Sequence, residues 1–386
     1  MSKTNQIMRE IMSASPMRVF LSVVLGFVIG SIFMAVFNED VVDSYQYFFA
    51  SPGYTFQVAF QTIFDGYAAL FKGAIFNFES TDPVDMFRPI TETLRLSAPL
   101  IMAGLGVALG FRVGLFNVGG TGQLVMGLLG ATWVSTRMEL PYGLHMVVAL
   151  VVAVVLAGLT GGLVGFLKAK TGAHEVIVTI MMNYIAVDLF TYFLRTPGLL
   201  LETDGPGNPK SDAPALTAQF PRLLGEDFKL NIGILLAIAA AVVYWWLMER
   251  STIGYRFRMV GFNANAAKAS GINVNRTYIW AMAASAAFIG LAAANQGLGE
   301  TGGLTSSIHA NIGFDAITVA LLGGSRARGV VIAGLVFGAF KAGSATMQIT
   351  GVSPEVLGII EALIVLFIAA PPLIRAIFRL PSPKEQ

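Results

Sequence analysis

The sequence predicts an all-α, polytopic integral membrane protein of about ten transmembrane helices, and three observations carry that prediction. Hydrophobic residues make up 55% of the 386 and charged residues only 12%, about half the charged share of a soluble domain. Mean hydropathy is +0.69. Apolar runs near the length of about 20 residues that crosses a bilayer recur from end to end. The same figures exclude a water-soluble enzyme, a nucleic-acid binder and a disordered chain. Abundant glycine, 42 residues, suits close helix packing in lipid. With no cysteine there is no disulfide, thiolate metal site or cysteine nucleophile.

The runs follow in order. Val19 to Phe37 is the first. A long segment, residues 38 to 88, then carries an amphipathic stretch from Phe60 to Phe78. Ile90 to Phe111 is the second run, and Gly122 to Ser135 is a short one behind a glycine-rich stretch. Leu144 to Leu167 and Val176 to Leu194 follow, then a loop rich in Pro and Gly from Arg195 to Lys229. Ile232 to Met248 ends in Tyr244, Trp245 and Trp246, aromatics of the kind that mark a membrane interface. After a basic loop, Glu249 to Arg276, come Thr277 to Asn295, the short Phe314 to Gly324, Val330 to Met347 and Val356 to Phe378.

Basic residues favour the cytoplasmic side of a membrane. With Lys3, Arg9 and Arg18 inside, alternation places Arg112, Lys168, Lys170, the basic loop, Arg326, Arg328, Arg375 and Arg379 inside as well. Most acids, among them Glu39, Asp40, Asp43, Asp65, Glu79, Asp82 and Asp85, then fall outside. An even span count follows, with both termini cytoplasmic. No A-x-A cleavage signal follows the first run, which is read as retained. The whole of 1–386 reads as a single transmembrane domain. Residues 1–89 supply a span and an extracytoplasmic segment, 90–378 the core, and 249–276 a cytoplasmic loop.

Two glycine-rich segments interrupt the pattern, Gly110 to Gln123 from the inside and Gly297 to Phe314 from the outside. Irregular backbone at membrane depth must be buried in protein or line a cavity. Broken elements entering from opposite faces are the mark of an inverted repeat. Chemistry for catalysis is absent from the sequence: there is no Walker A stretch, no G-x-S-x-G elbow and no metal-ligand spacing among His145, His174 and His309. No cofactor, metal or catalytic residue is expected. Ionisable residues within the runs are Glu92, Arg95, Glu175, Asp188, Lys341 and Glu361. Such groups are paired or functional. Glu92 and Arg95 are spaced to pair on one helix face, and Lys341 and Glu361 are read as partners between spans. No Asp, Glu or His relay supports a stand-alone proton-coupled secondary transporter.

Within the basic loop, Gly261-Phe-Asn-Ala-Asn-Ala-Ala-Lys-Ala-Ser-Gly-Ile272 reads as a short helix. Asn263 caps its start, alanines propagate it and Gly271 ends it. A helix this small in side chain suits a groove on another protein. Three more stretches stand out: Gly114-Leu-Phe-Asn-Val-Gly-Gly-Thr-Gly-Gln123, Glu175-Val-Ile-Val-Thr-Ile-Met-Met-Asn-Tyr184, and Gly313 to Gly323, G-F-D-A-I-T-V-A-L-L-G.

On these residues the sequence resembles the permease subunits of ATP-binding-cassette (ABC) importers of the ribose, simple-sugar and nucleoside family, from about residue 90 to residue 370. In that family the loop stretch is the coupling helix that contacts the ATPase. Here it stands as Gly261, Asn263, Ala266, Ala267, Lys268, Ser270, Gly271 and Ile272. The other three stretches resemble the nucleoside branch, with Thr121 where that branch has Glu and His174 where it has Asn. The long segments outside suit the larger permease of a pair. The resemblance implies a bacterial inner-membrane subunit that is itself no enzyme. Its implied partners are a second, homologous permease in a heterodimer, cytoplasmic ATP-binding cassette subunits, an extracytoplasmic substrate-binding lipoprotein and the lipid bilayer, with no nucleic acid. Its implied cargo is a nucleoside, the alternatives being a monosaccharide, a riboflavin-like vitamin or a branched-chain amino acid. Expected pathway residues are Asn117, Gln123, Asn183 and Tyr184, with Asn295 and Glu300 near the outer mouth. Ala267→Glu is expected to block ATPase docking and leave the fold intact.

Overall fold

A computed structural model describes residues 15–203, 208–299, 302–305 and 311–378. Along the chain the helices are α1 (Ser15–Phe37), α2 (Glu39–Ser44), α3 (Pro52–Ala74), α4 (Pro83–Arg112) and α5 (Gly120–Arg137). Then come α6 (Leu144–Thr171), α7 (Glu175–Arg195), α8 (Gly233–Arg250), α9 (Thr252–Phe262) and α10 (Ala264–Ala269). The last are α11 (Val274–Gly299), α12 (Ile312–Leu322), α13 (Ala327–Ile349), α14 (Pro354–Ala369) and α15 (Pro371–Phe378).

Nine of the ten apolar runs lie on one helix each, to within two residues at the ends, and the last, Val356 to Phe378, falls on α14 and α15. Among the described residues seven helices are long and apolar enough to cross a bilayer, and the bent α14–α15 pair raises that to eight. The two remaining runs are α5, of 18 residues, and α12, of 11. At 1.5 Å per residue α12 covers about 16 Å, half of the hydrocarbon thickness. The 90° bend between α14 and α15 falls at Pro371 and Pro372, which offer no N–H to continue the ladder.

The helices group into two compact units. One comprises Met1–Thr93 and Ala339–Gln386. In it α1 packs on α14 and on α3, where the Tyr67 hydroxyl donates to the Phe27 carbonyl at 2.6 Å. Asn38 caps α2 by accepting from the Val41 N–H at 3.2 Å. The amphipathic stretch read in the sequence is α3, which starts eight residues earlier at Pro52. It leaves Phe56, Phe60, Phe64 and Phe71 exposed along one side.

The second unit, Leu94–Gly338, centres on α11. This helix packs most extensively on α6 and α5 and touches α8, α9 and α10. Small residues allow this: Gly127, Gly161, Gly165 and Gly290 lie at helix crossings where neighbouring backbone or alanine methyl groups approach. The Pro- and Gly-rich loop is packed. Ala218, Phe220, Leu200 and Leu304 are buried, and Ser211 exchanges hydrogen bonds with Leu304 at 2.9 and 2.8 Å. Arg137 holds the same loop through the Leu199 and Leu201 carbonyls (2.8 and 3.0 Å) and Asp212 (3.3 Å).

Candidate functional site

Between α4 and α5 the chain leaves the helix at Arg112 and re-enters it at Gly120. Val113, Leu115 and Asn117 in this link are essentially inaccessible, so its backbone needs internal partners. The Gly110 carbonyl takes the Val113 and Leu115 N–H groups at 3.0 and 2.9 Å, and the Asn117 side chain braces the far end. Its Nδ2 donates to Gln123 Oε1 (2.9 Å) and Ser285 Oγ (3.0 Å), and its Oδ1 accepts from Gln123 Nε2 (3.0 Å) and the Gly119 N–H (3.0 Å). Ser285 in turn donates to the Gly106 carbonyl at 2.7 Å. The amide of Asn117 thus has both donors and both acceptor positions filled. Asn183, on α7, accepts from the Gly122 N–H at 2.7 Å and donates to the Val118 carbonyl at 3.0 Å. Glu175 anchors the other side. It takes a bond from Lys168 at 2.6 Å and a long one from the Phe116 N–H at 3.5 Å.

The first turn of α5 meets the first turn of α12. A Cβ on Gly313 would come within 2.2 Å of the Thr121 nitrogen and 2.4 Å of its Oγ1, and one on Gly120 within 2.9 Å of the Gly313 carbonyl oxygen. Only glycines permit this approach. Two helix N-termini, each with partial positive charge, therefore share a seam, and the buried Thr121 Oγ1 beside it has no hydrogen-bond partner. Exposed aromatics flank it: Phe314 on α12 and Tyr184 beside Asn183 on α7. Asn295 lies elsewhere, on the last turns of α11. It is buried beside Gly233, and its Oδ1 has no partner among the described residues. Glu300 lies outside the described residues.

The loop after α8 folds as read. Asn263 Oδ1 accepts from the N–H groups of Asn265 (2.9 Å) and Ala266 (3.0 Å). Gly271, at φ +83°, ends α10: the Ile272 N–H returns to the Ala267 carbonyl and the Gly271 N–H to that of Lys268, both at 3.0 Å. One assignment changes. Ala267 is fully buried against the unit's own core, so a glutamate there buries a charge and disrupts the loop. The outward face consists of Asn265, Ala266, Lys268, Ala269 and Ser270. Sequence reasoning passed over Phe262, a large ring left 84% exposed immediately before this face. An aromatic in a polar loop was the available signal.

Loop and link are joined. A Cβ on Gly261 would lie 2.2 Å from the Arg112 carbonyl oxygen, so the end of α9 rests on the backbone where the link begins. Glu249 ties Arg112 (2.8 Å) and Arg258 (3.7 Å) to the same corner.

Among known proteins, the family described as branched-chain amino acid transport system / permease component matches residues 90–369. The guanosine ABC transporter permease NupP of Bacillus subtilis is 38% identical over 73% of this chain and 81% of its own length. The nucleoside ABC transporter permease NupB of Lactococcus lactis is 29% identical over 90% of this chain and 89% of its own. The glucose ABC transporter permease TsgB13 of Haloferax volcanii is 31% identical over 72% and 75%. No solved structure matches. With the family match covering most of its length, the glycine-bounded link and the capped loop included, the chain belongs to this permease family and is a transport subunit of an ABC transporter.

Proposed function

We propose that this chain is one of two paired permease subunits of an ATP-driven bacterial importer for nucleosides. The observation that carries the cargo is the likeness to NupP and NupB, which together span nearly the whole chain. The seam agrees with a neutral, flat cargo. Its donors are backbone N–H groups and amides, and Phe314 and Tyr184 offer rings for a base to stack on. In this reading Asn183 and Tyr184 line the pathway, Thr121 and Asn295 offer it unspent oxygens, and Asn117 and Gln123 position the link. The exposed side of α7, with Ile177, Met181, Tyr184 and Ile185, faces the second permease. Phe262 and the outward face of α10 meet the ATPase. Motion of that loop reaches the seam through Gly261 and Arg112.

The test is uptake in a strain lacking the gene. Restoring the chain should restore uptake of radiolabelled uridine and adenosine. Ala266→Glu should insert normally yet cut uptake about tenfold or more, the loss expected when a charge enters a docked small-residue face. The likeness to TsgB13 makes glucose the second reading. Glucose uptake restored in place of nucleoside uptake selects it.

Both termini and the 249–276 loop are placed in the cytoplasm, because basic residues concentrate there. The cysteine-free chain makes this testable. Ser51→Cys and Glu226→Cys, both exposed, should react with an impermeant thiol reagent on intact cells, whereas Ser270→Cys should not. Labelling at position 270 from outside would reverse the orientation.

A further inference from the structure

Behind the coupling loop lies a groove of about 950 Å³ formed by the end of α8, the start of α9, the segment after α10 and the first part of α11. We propose that it holds an anionic phospholipid of the membrane leaflet on which the 249–276 loop lies, with the headgroup phosphate between Arg256 and Arg276.

Three independent features converge. The first is charge. Arg256 and Arg276 both line the groove, no carboxylate lines it, and both arginines are exposed. The nearby acid, Glu249, is engaged by Arg112 and Arg258. Among the described residues neither Arg256 nor Arg276 forms an ion pair. The second is backbone. Thr252, Ile253 and Tyr255 belong to the first turns of α9, and Arg276 and Thr277 to the first turn of α11. Both helices thus begin at the groove, where dipole and arginine charge favour a phosphate.

The third feature is depth, and it separates a lipid from other phosphates and from a protein. The groove continues along α11 past Trp280 to Ala284. These lie six and ten residues beyond Val274, so about 9 and 15 Å along the axis. Since α11 is one of the spanning helices, that part of the groove sits at acyl-chain depth. A water-soluble partner docked on the loop does not reach it. An acyl chain does, along Leu247, Ala284 and the face of Trp280, which is 68% exposed. Tyr255, in the first turn of α9, stands at the headgroup level, where amphipathic rings prefer to sit.

The experiment uses the full chain in phosphatidylcholine nanodiscs containing brominated phosphatidylglycerol or, separately, brominated phosphatidylcholine. Trp280 is the reporter. Its share of the emission is the difference between the native chain and Trp280→Phe. Brominated phosphatidylglycerol should quench that share at a mole fraction at least about tenfold lower than brominated phosphatidylcholine. Arg256→Gln and Arg276→Gln should each reduce the preference about fivefold, the factor expected of one basic residue near a charged headgroup. Both arginines are exposed, so these variants should fold, and native mass spectrometry should show them losing co-purified phosphatidylglycerol. Equal quenching by the two lipids overturns the proposal. So does removal of the preference by excess inorganic phosphate, which makes the site a soluble-phosphate site. A double variant that loses its ATPase partner but keeps the lipid preference also overturns it, making the arginines a protein surface.

Discussion

Asn117 and Asn295 are the same side chain in the same unit, 0% and 4% exposed, yet they are used in opposite ways. Asn117 spends all its hydrogen-bonding capacity on Gln123, Ser285 and Gly119. Asn295 keeps Oδ1 unspent. A buried amide with every position filled holds backbone in place, whereas the unfilled acceptor is what the proposal of Asn295 as a pathway residue rests on. Burial and residue type alone do not separate the two arrangements. The partner count does.

The comparison breaks most readily at Asn117. Asn117→Ala strands the Gln123 amide and the Gly119 N–H, while the Ser285 hydroxyl keeps its bond to the Gly106 carbonyl, at about 1–3 kcal/mol per stranded buried group. The yield of monodisperse protein in mild detergent should collapse. Native yield would show that the link is held by other means. A smaller effect is expected at the seam. Gly313→Ala presses a methyl onto the first turn of α5, an overpacking cost of about 1–3 kcal/mol, so uptake should fall more than protein amount. Equal loss of both would make the contact merely structural. Asn295→Ala should cost least, about 1 kcal/mol or less, because its acceptor has no bond to lose. Its signature should be a raised KM for uptake at near-native yield. An unchanged KM would remove Asn295 from the pathway.

Legibility in the sequence followed the range of the interactions. The apolar runs, the Asn263 cap and the Gly271 stop depend on neighbours within a few residues, and all appear in the structure. The start of α3 at Pro52 was missed because its first turns alternate polar and aromatic residues and carry no continuous apolar run. The links from Asn117 to Ser285 and from Ser211 to Leu304 join residues 168 and 93 positions apart, and nothing local encodes them. Ala267 was misjudged for a related reason. In a six-residue helix of alanines, sequence does not show which methyl turns inward, and the face is chosen by the core beneath it.

The rest of Gly261 on the Arg112 carbonyl has a consequence for local opening. Backbone meets backbone there with no side chain between, so no rotamer change can absorb a displacement. The end of α9 and the start of the link cannot separate without exposing each other's amides. Their opening is expected to be cooperative, so that N–H groups on both sides should share one opening free energy. Anything that steadies the loop should therefore slow exchange in the buried link as well, with no direct contact between the two.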